Sequence, residues 1–79
     1  MVIHLALFAY LSEYQPDGDG GRHARPVELD DGTTIADVIS RLGLPDQPRV
    51  VFVNGRHAPE EQALTEGDRL AIFPPVAGG

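Results

Sequence analysis

The sequence predicts an α+β domain, a mixed sheet of four to five strands with one helix packed across it. Three observations carry this expectation. Apolar residues alternate near both ends of the chain, over residues 2–9 and 69–73, which is the period of a half-buried strand. Residues 34–43 change to a helical spacing. Asn54-Gly55 then divides two short runs that read as the arms of a hairpin, because a type I′ turn needs positive φ at both central residues.

The first strand spans 2–9. Ile3, Leu5 and Leu7 fall on one face and His4, Ala6 and Phe8 on the other. Residues 12–24 hold Pro16 and the run Asp17-Gly18-Asp19-Gly20-Gly21, so they are expected to form a loop. Two alternating aspartates suggest calcium, but the remaining ligands of a calcium loop are missing, among them the glutamate at its twelfth position. Residues 26–29 form a short second strand, and Asp30-Asp31-Gly32 a turn. Thr34 is placed to cap the helix, with Asp37 three residues on completing a capping box. Ile35, Val38, Ile39 and Leu42 repeat at the spacing of one buried helical face. Gly43 and Pro45 end the helix. The third strand, 49–53, is rich in valine, and a short fourth strand, 56–58, returns from the turn. Residues 59–68 form a polar connection anchored by Leu64. In the last strand, Arg69 to Phe73, Leu70 and Ile72 face the core, and Ala71 and Phe73 face away.

A chain of 79 residues makes one small domain, and a domain of this size buries only about 60% of the surface its unfolded chain exposes. At 42% apolar it still supplies one core. A deep enclosed catalytic cavity does not fit beside that core, so a carrier or binding module is expected and not a stand-alone enzyme. The absence of Cys excludes a thiol nucleophile and a thiolate metal site. His4, His23 and His57 lack ligand spacing, so no metal site is expected. A net charge of −6 argues against nucleic acid, whose phosphates demand a basic face, and favours partners with basic surfaces. The apolar start is short, lacks a basic leader and alternates like a strand, so it reads as neither signal peptide nor membrane span. The cytoplasm is the expected location. All six basic residues are Arg, so the sequence carries no side-chain amine.

The C-terminal run is the most informative segment. Arg69-Leu70-Ala71-Ile72-Phe73 is followed by Pro74-Pro75-Val76-Ala77-Gly78-Gly79. The two prolines have no N–H with which to extend a sheet, so a tail over 74–79 should leave the domain as a flexible extension. Fully extended it spans on the order of 20 Å at ~3.3–3.6 Å per residue. Glycine at its end passes where a Cβ would not, and Gly79 is read as the working residue. Phe8 and Phe73, with Ala6 and Ala71 nearby, should lie on the sheet face away from the helix, where little covers them. Such a patch suggests a partner surface, although two exposed aromatics are also ordinary.

The order strand, strand, helix, strand, strand with a Gly-Gly end resembles the ubiquitin-like β-grasp fold. The segment Leu64-Thr65-Glu66-Gly67-Asp68-Arg69-Leu70-Ala71-Ile72-Phe73-Pro74-Pro75-Val76-Ala77-Gly78-Gly79 is similar to the end of MoaD-type sulfur carriers, the small subunits of molybdopterin synthase. The related ThiS-type carriers of thiamine biosynthesis share the fold and the Gly-Gly and usually lack the Phe-Pro-Pro stretch. The resemblance implies a carrier with no catalytic site and no bound cofactor. A ubiquitin-activating-type adenylyltransferase would use ATP to adenylate Gly79, and a sulfur donor would convert the acyl adenylate to a thiocarboxylate. The large subunit of molybdopterin synthase, or another sulfur-accepting enzyme, would then receive the sulfur. Carriers for thiamine or tRNA thiolation, and protein modifiers that form an amide through Gly79, share this tail chemistry and remain alternatives. Val76 would pack in the partner's channel and set the direction of the tail, which continues through Ala77 and Gly78 to Gly79. His57 stands where such carriers often have an apolar docking residue, and residues 13–25 are Gly-rich where relatives often have a short helix.

Overall fold

The computed structural model describes residues 1–15 and 24–75. The expected Asp17–Gly21 loop and the tail residues Val76, Ala77, Gly78 and Gly79 lie outside the described residues. Five strands form one sheet: β1 (Val2–Leu7), β2 (Arg25–Glu28), β3 (Val50–Val53), β4 (Arg56–His57) and β5 (Arg69–Phe73), in the order β2-β1-β5-β3-β4. The first and last strands pair in parallel at its centre, with Leu5 opposite Leu70, and every other pairing is antiparallel. One helix, α1 (Ile35–Leu42), lies between β2 and β3 in the chain.

The core forms where the alternating strand residues meet the helix. Ile3, Leu5, Leu7, Leu70 and Ile72 from the two central strands join Val51, Val53 and the helix residues Ile35, Val38 and Ile39 in one cluster. Leu42 packs partly against it. Helix α1 begins as expected. The Asp37 N–H donates to Thr34 Oγ1 at 3.1 Å, and the Thr34 N–H donates to Asp37 Oδ2 at 3.0 Å. Two further N–H groups of its first turn, on Ile35 and Ala36, donate to the carbonyls of Gln62 and Glu60. The connection over 59–68 therefore satisfies donors that a helix start always leaves open. It also contributes the expected buried anchor, Leu64, and the residue just before the connection, Ala58, is buried as well. Gly43 ends the helix at φ 72°, a left-handed conformation that costs glycine little.

The region after β1 differs from the expectation. The strand stops at Leu7, two residues early, and Ala9–Tyr14 forms a 3-10 helix where a strand end and a loop were expected. Ala9 stands at φ 54°, which turns the chain out of the sheet. No glycine or proline marks that turn in the sequence. Leu11 then buries itself against the core. Just beyond the 3-10 helix, the Gln15 side chain completes the sheet. β2 pairs with β1 only as far as Leu5 opposite Arg25. Past that point Gln15 Oε1 accepts the Leu7 N–H at 3.1 Å, and Gln15 Nε2 donates to the Leu5 carbonyl at 3.0 Å. A primary amide carries the same donor and acceptor as a backbone peptide, so Gln15, 3% exposed, takes the place of the missing strand neighbour. Smaller differences are shifts of one residue. β2 runs Arg25–Glu28 against an expected 26–29, β3 begins at Val50, and β4 holds Arg56 and His57 without Ala58.

Two carboxylates tie the ends of these elements. Burial would raise the pKa of Asp68, but the Thr65 N–H at 2.8 Å and the Asn54 amide at 2.9 Å outweigh it and hold the carboxyl below its ordinary 3.8. The Thr34 backbone and hydroxyl lower that of Asp37 in the same sense. Both groups have folded pKa values below their unfolded ones. Their contribution to stability is therefore complete above the ordinary carboxylate range and lost as pH falls through the folded values. We expect the melting temperature to hold at neutral pH and to fall below about pH 4, with a shallower acid limb in Asp68→Asn. Thermal melts of both proteins across that range check this, and an acid limb unchanged by Asp68→Asn would contradict it.

Candidate functional site: an aromatic sheet face beside the tail

The strands that bury Leu70 and Ile72 turn their alternate residues to the other face. There the Phe8 and Phe73 rings stack with centroids 4.4 Å apart and planes 11° from parallel. Phe52 meets Phe73 edge-on at 5.7 Å, and His57 meets Phe52 edge-on at 5.6 Å. The register explains the row. Ala71 of β5 lies opposite Phe52 of β3, and Phe52 lies opposite His57 of β4, so all three point the same way. The Ala71 methyl is too small to stand between the rings. Phe8, Phe52, Ala71 and Phe73 line an open depression of about 540 Å3, with Asn54, Gly55 and Arg69 at its border.

The expected partner-facing residues Phe8, Phe73, Ala71 and His57 are thus brought to one face. Two details correct the expectation. Phe8 and Phe73 are half-buried against each other and not left uncovered, and Ala6 is 1% exposed. Phe52, which joins Phe73 to His57 in the row, was not expected there, because the sequence assigns the residues of the valine-rich third strand to neither face. Its alternation with the buried Val51 and Val53 was the available signal. His57 is exposed at the end of this row, where its imidazole adds a polar ring beside Phe52.

Asn54 does more than turn the hairpin. At φ 54° it forms the turn with Gly55 at φ 80°. Its Nδ2 donates to Asp68 Oδ1 at 2.9 Å, and its Oδ1 accepts the Arg69 N–H at 3.0 Å. The β3–β4 turn is therefore fastened to the start of β5. That strand is held along both sides, by β1 and β3, until Phe73. Pro74 and Pro75 follow immediately, Pro74 half-buried and Pro75 exposed. A partner seated on the aromatic row would meet the chain at the point where it leaves the sheet.

Among the described residues no group of three or more His, Cys, Asp or Glu could hold a metal ion. No helix among them is long and apolar enough to cross a membrane. The depression beside the rings is open and carries no nucleophile paired with a base.

A five-stranded mixed sheet with parallel central strands, one helix across one face and an aromatic row on the other is a ubiquitin-like β-grasp protein. The chain belongs to the ThiS family, whose model matches residues 6–79. It is 34% identical over 59 residues to small archaeal modifier protein 2 of Haloferax volcanii, covering 75% of this chain and 88% of that protein. Among solved structures it is similar to small archaeal modifier protein 1 of the same organism, at 29% identity and a TM-score of 0.71 over 100% of both chains. A putative molybdopterin converting factor subunit 1 from Pyrococcus furiosus shares the fold, at 21% identity and a TM-score of 0.73, covering 96% of this chain and 99% of that one.

Proposed function

We propose that this chain is a sulfur carrier with no catalytic site of its own, acting in the cytoplasm. Gly79 is adenylated by a ubiquitin-activating-type enzyme that consumes ATP, and a sulfur donor converts the acyl adenylate to a thiocarboxylate. The sulfur then passes to a substrate held by a second protein. A carboxylate is a poor electrophile, so it requires activation, and enclosure of the tail in the partner keeps water from the adenylate. The observation that supports the reading most is the continuity of the central strand β5 with Phe73-Pro74-Pro75 and then Gly78-Gly79, beside the aromatic row. The Phe-Pro-Pro stretch favours the large subunit of molybdopterin synthase, for a molybdenum or tungsten cofactor, as the sulfur-accepting partner. Incubation with ATP, an activating enzyme and a sulfide source, followed by intact-mass measurement, tests this. Replacement of one oxygen by sulfur at Gly79 is the expected change, and a chain that is never adenylated would overturn the reading.

A second reading is a protein modifier, in which Gly79 forms an amide with an amine of a target. The 34% identity to a small archaeal modifier protein favours it. The end points differ: sulfur transfer regenerates the free carboxylate, and conjugation consumes it.

Either reading needs a docking surface. Truncating Phe73 removes the ring that contacts both Phe8 and Phe52. Aromatic anchors in a desolvated interface carry about 2 kcal/mol or more. Phe73→Ala should therefore weaken binding to the activating enzyme and to the sulfur acceptor by about tenfold or more, with Phe8→Ala weaker in effect. Titration of the folded variants checks this. Parent-like binding by Phe73→Ala would place docking elsewhere.

A further inference from the structure

An activated Gly79 is an acyl donor, and any side-chain amine or thiol within reach competes with sulfide for it. The 79 residues contain neither Lys nor Cys. The α-amine of Met1 is the remaining primary amine of the sequence. As an ammonium it donates to the Leu29 carbonyl at 2.7 Å and stands 3.8 Å from the Asp31 carboxylate. It also sits at the beginning of β1. Because β1 and β5 run parallel, that is the end of the sheet away from Phe73 and the tail.

The fold does not by itself demand arginine throughout. Arg49 uses the guanidinium fork: its Nε and Nη2 reach the two carboxylate oxygens of Glu60 at 2.9 and 3.2 Å, and its Nη1 reaches the Pro45 carbonyl. A lysine cannot copy that geometry. Arg41, at the end of α1, and Arg56 and Arg69, bordering the depressions around the Asn54 turn, are exposed. A lysine ammonium would serve solvation equally well at those three positions. It would also be an amine that can lose its proton and attack, which a guanidinium is not.

From these observations, and resting on the activation of Gly79 set out above, we infer that the chain is an acyl donor that cannot act as its own acceptor. In the step that is excluded, a lysine nitrogen attacks the Gly79 carbonyl carbon of the acyl adenylate. A C–N bond forms, the C–O bond to AMP breaks with its electron pair leaving on the phosphate, and the ammonium proton passes to solvent. Histidine can attack the same carbon, but an acyl-imidazole returns to acid by hydrolysis and does not accumulate. The activated end is thereby reserved for an external nucleophile. That is sulfide from a donor in sulfur transfer, or an amine of another protein in conjugation. Conjugation would then stop at one copy per acceptor amine, since the attached copy offers no side-chain amine for the next and its Met1 α-amine is engaged by Leu29 and Asp31.

The test uses the full chain carrying a chemically prepared thioester at Gly79, so it needs no activating enzyme. Parent, Arg69→Lys and Arg41→Lys are incubated at alkaline pH and followed by denaturing gel and intact mass. The parent is expected to yield the free acid alone. The lysine variants are expected to yield amide-linked dimers, or a cyclised chain one water lighter than the free acid. Amide-linked dimer or cyclised chain from the parent would overturn the inference. So would lysine variants that yield free acid alone, because the missing lysines would then be a matter of composition only. A parent chain that behaves as expected here but is never adenylated by an activating enzyme would overturn the proposed function and leave this result standing.

Discussion

Deleting Gly79 is expected to abolish adenylation and thiocarboxylate formation outright while leaving the fold as it was. The physical reason is reach. On the proposed reading, activation requires an oxygen of the terminal carboxylate to attack the α-phosphorus of ATP, with pyrophosphate leaving, inside a partner that has seated the sheet face. One residue of extended chain is about 3.3–3.6 Å. Shortening the tail by that length places the carboxylate outside bonding distance, and a 1 Å misplacement of reacting groups can already cost about a hundredfold. The fold should not notice, because the buried core among the described residues ends at Ile72. ATP–pyrophosphate exchange and intact mass give the readout, and a thermal melt confirms the fold. A truncated chain that still forms thiocarboxylate at the parent's yield would remove Gly79 from the chemistry.

The second large effect is expected at Gln15, where no chemistry is involved. Gln15→Leu keeps a side chain of similar volume and removes both hydrogen bonds to β1. The Leu7 N–H and Leu5 carbonyl then face a buried position with no partner, and each such orphan costs about 1–3 kcal/mol. Two together approach the total of about 5 kcal/mol that holds a domain at the low end of the usual range. Urea denaturation of Gln15→Leu should show a folded population that is small or absent at a temperature where the parent is fully folded. A parent-like midpoint would mean that water or the neighbouring backbone replaces the amide, and that the edge of β1 beyond Arg25 needs no closure.

The roles of Gln15 and Phe52 are set by tertiary contacts and not by their local sequence. Gln15 stands next to Pro16 in a stretch that read as loop, and nothing local distinguishes a glutamine that completes a sheet from one that faces solvent. Its partners are eight and ten residues away in the chain, and they are neighbours only because the 3-10 helix turns back over β1. Phe52 was placed in the correct strand, but its role depended on which face the register would give it. That became visible once β3 was paired with β5. Asn54 is the intermediate case: its turn was legible from the Asn-Gly pair, and its bonds to Asp68 and Arg69 were not.

What the sequence determined by itself is everything that depends on residues near one another in the chain. The capping box at Thr34 and Asp37, the end of α1 at Gly43, the Asn54-Gly55 hairpin and the alternation that buries Ile3, Leu5, Leu7, Leu70 and Ile72 are local. Each follows from a backbone preference or a side-chain period that acts over a few residues. The absence of Lys and Cys is also fixed by composition. Only the tertiary structure decided which strands lie side by side. Placing β5 between β1 and β3 aligns Phe8, Phe73 and the hairpin pair Phe52 and His57 into one row, although Phe8, Phe52 and Phe73 are far apart in the chain. The same pairing runs β5 along the middle of the sheet to Phe73, so that Pro74 follows beside that row. Long-range strand pairing is chosen by the burial of the whole core and not by any single segment, so the face that a partner would meet exists only once the sheet has closed.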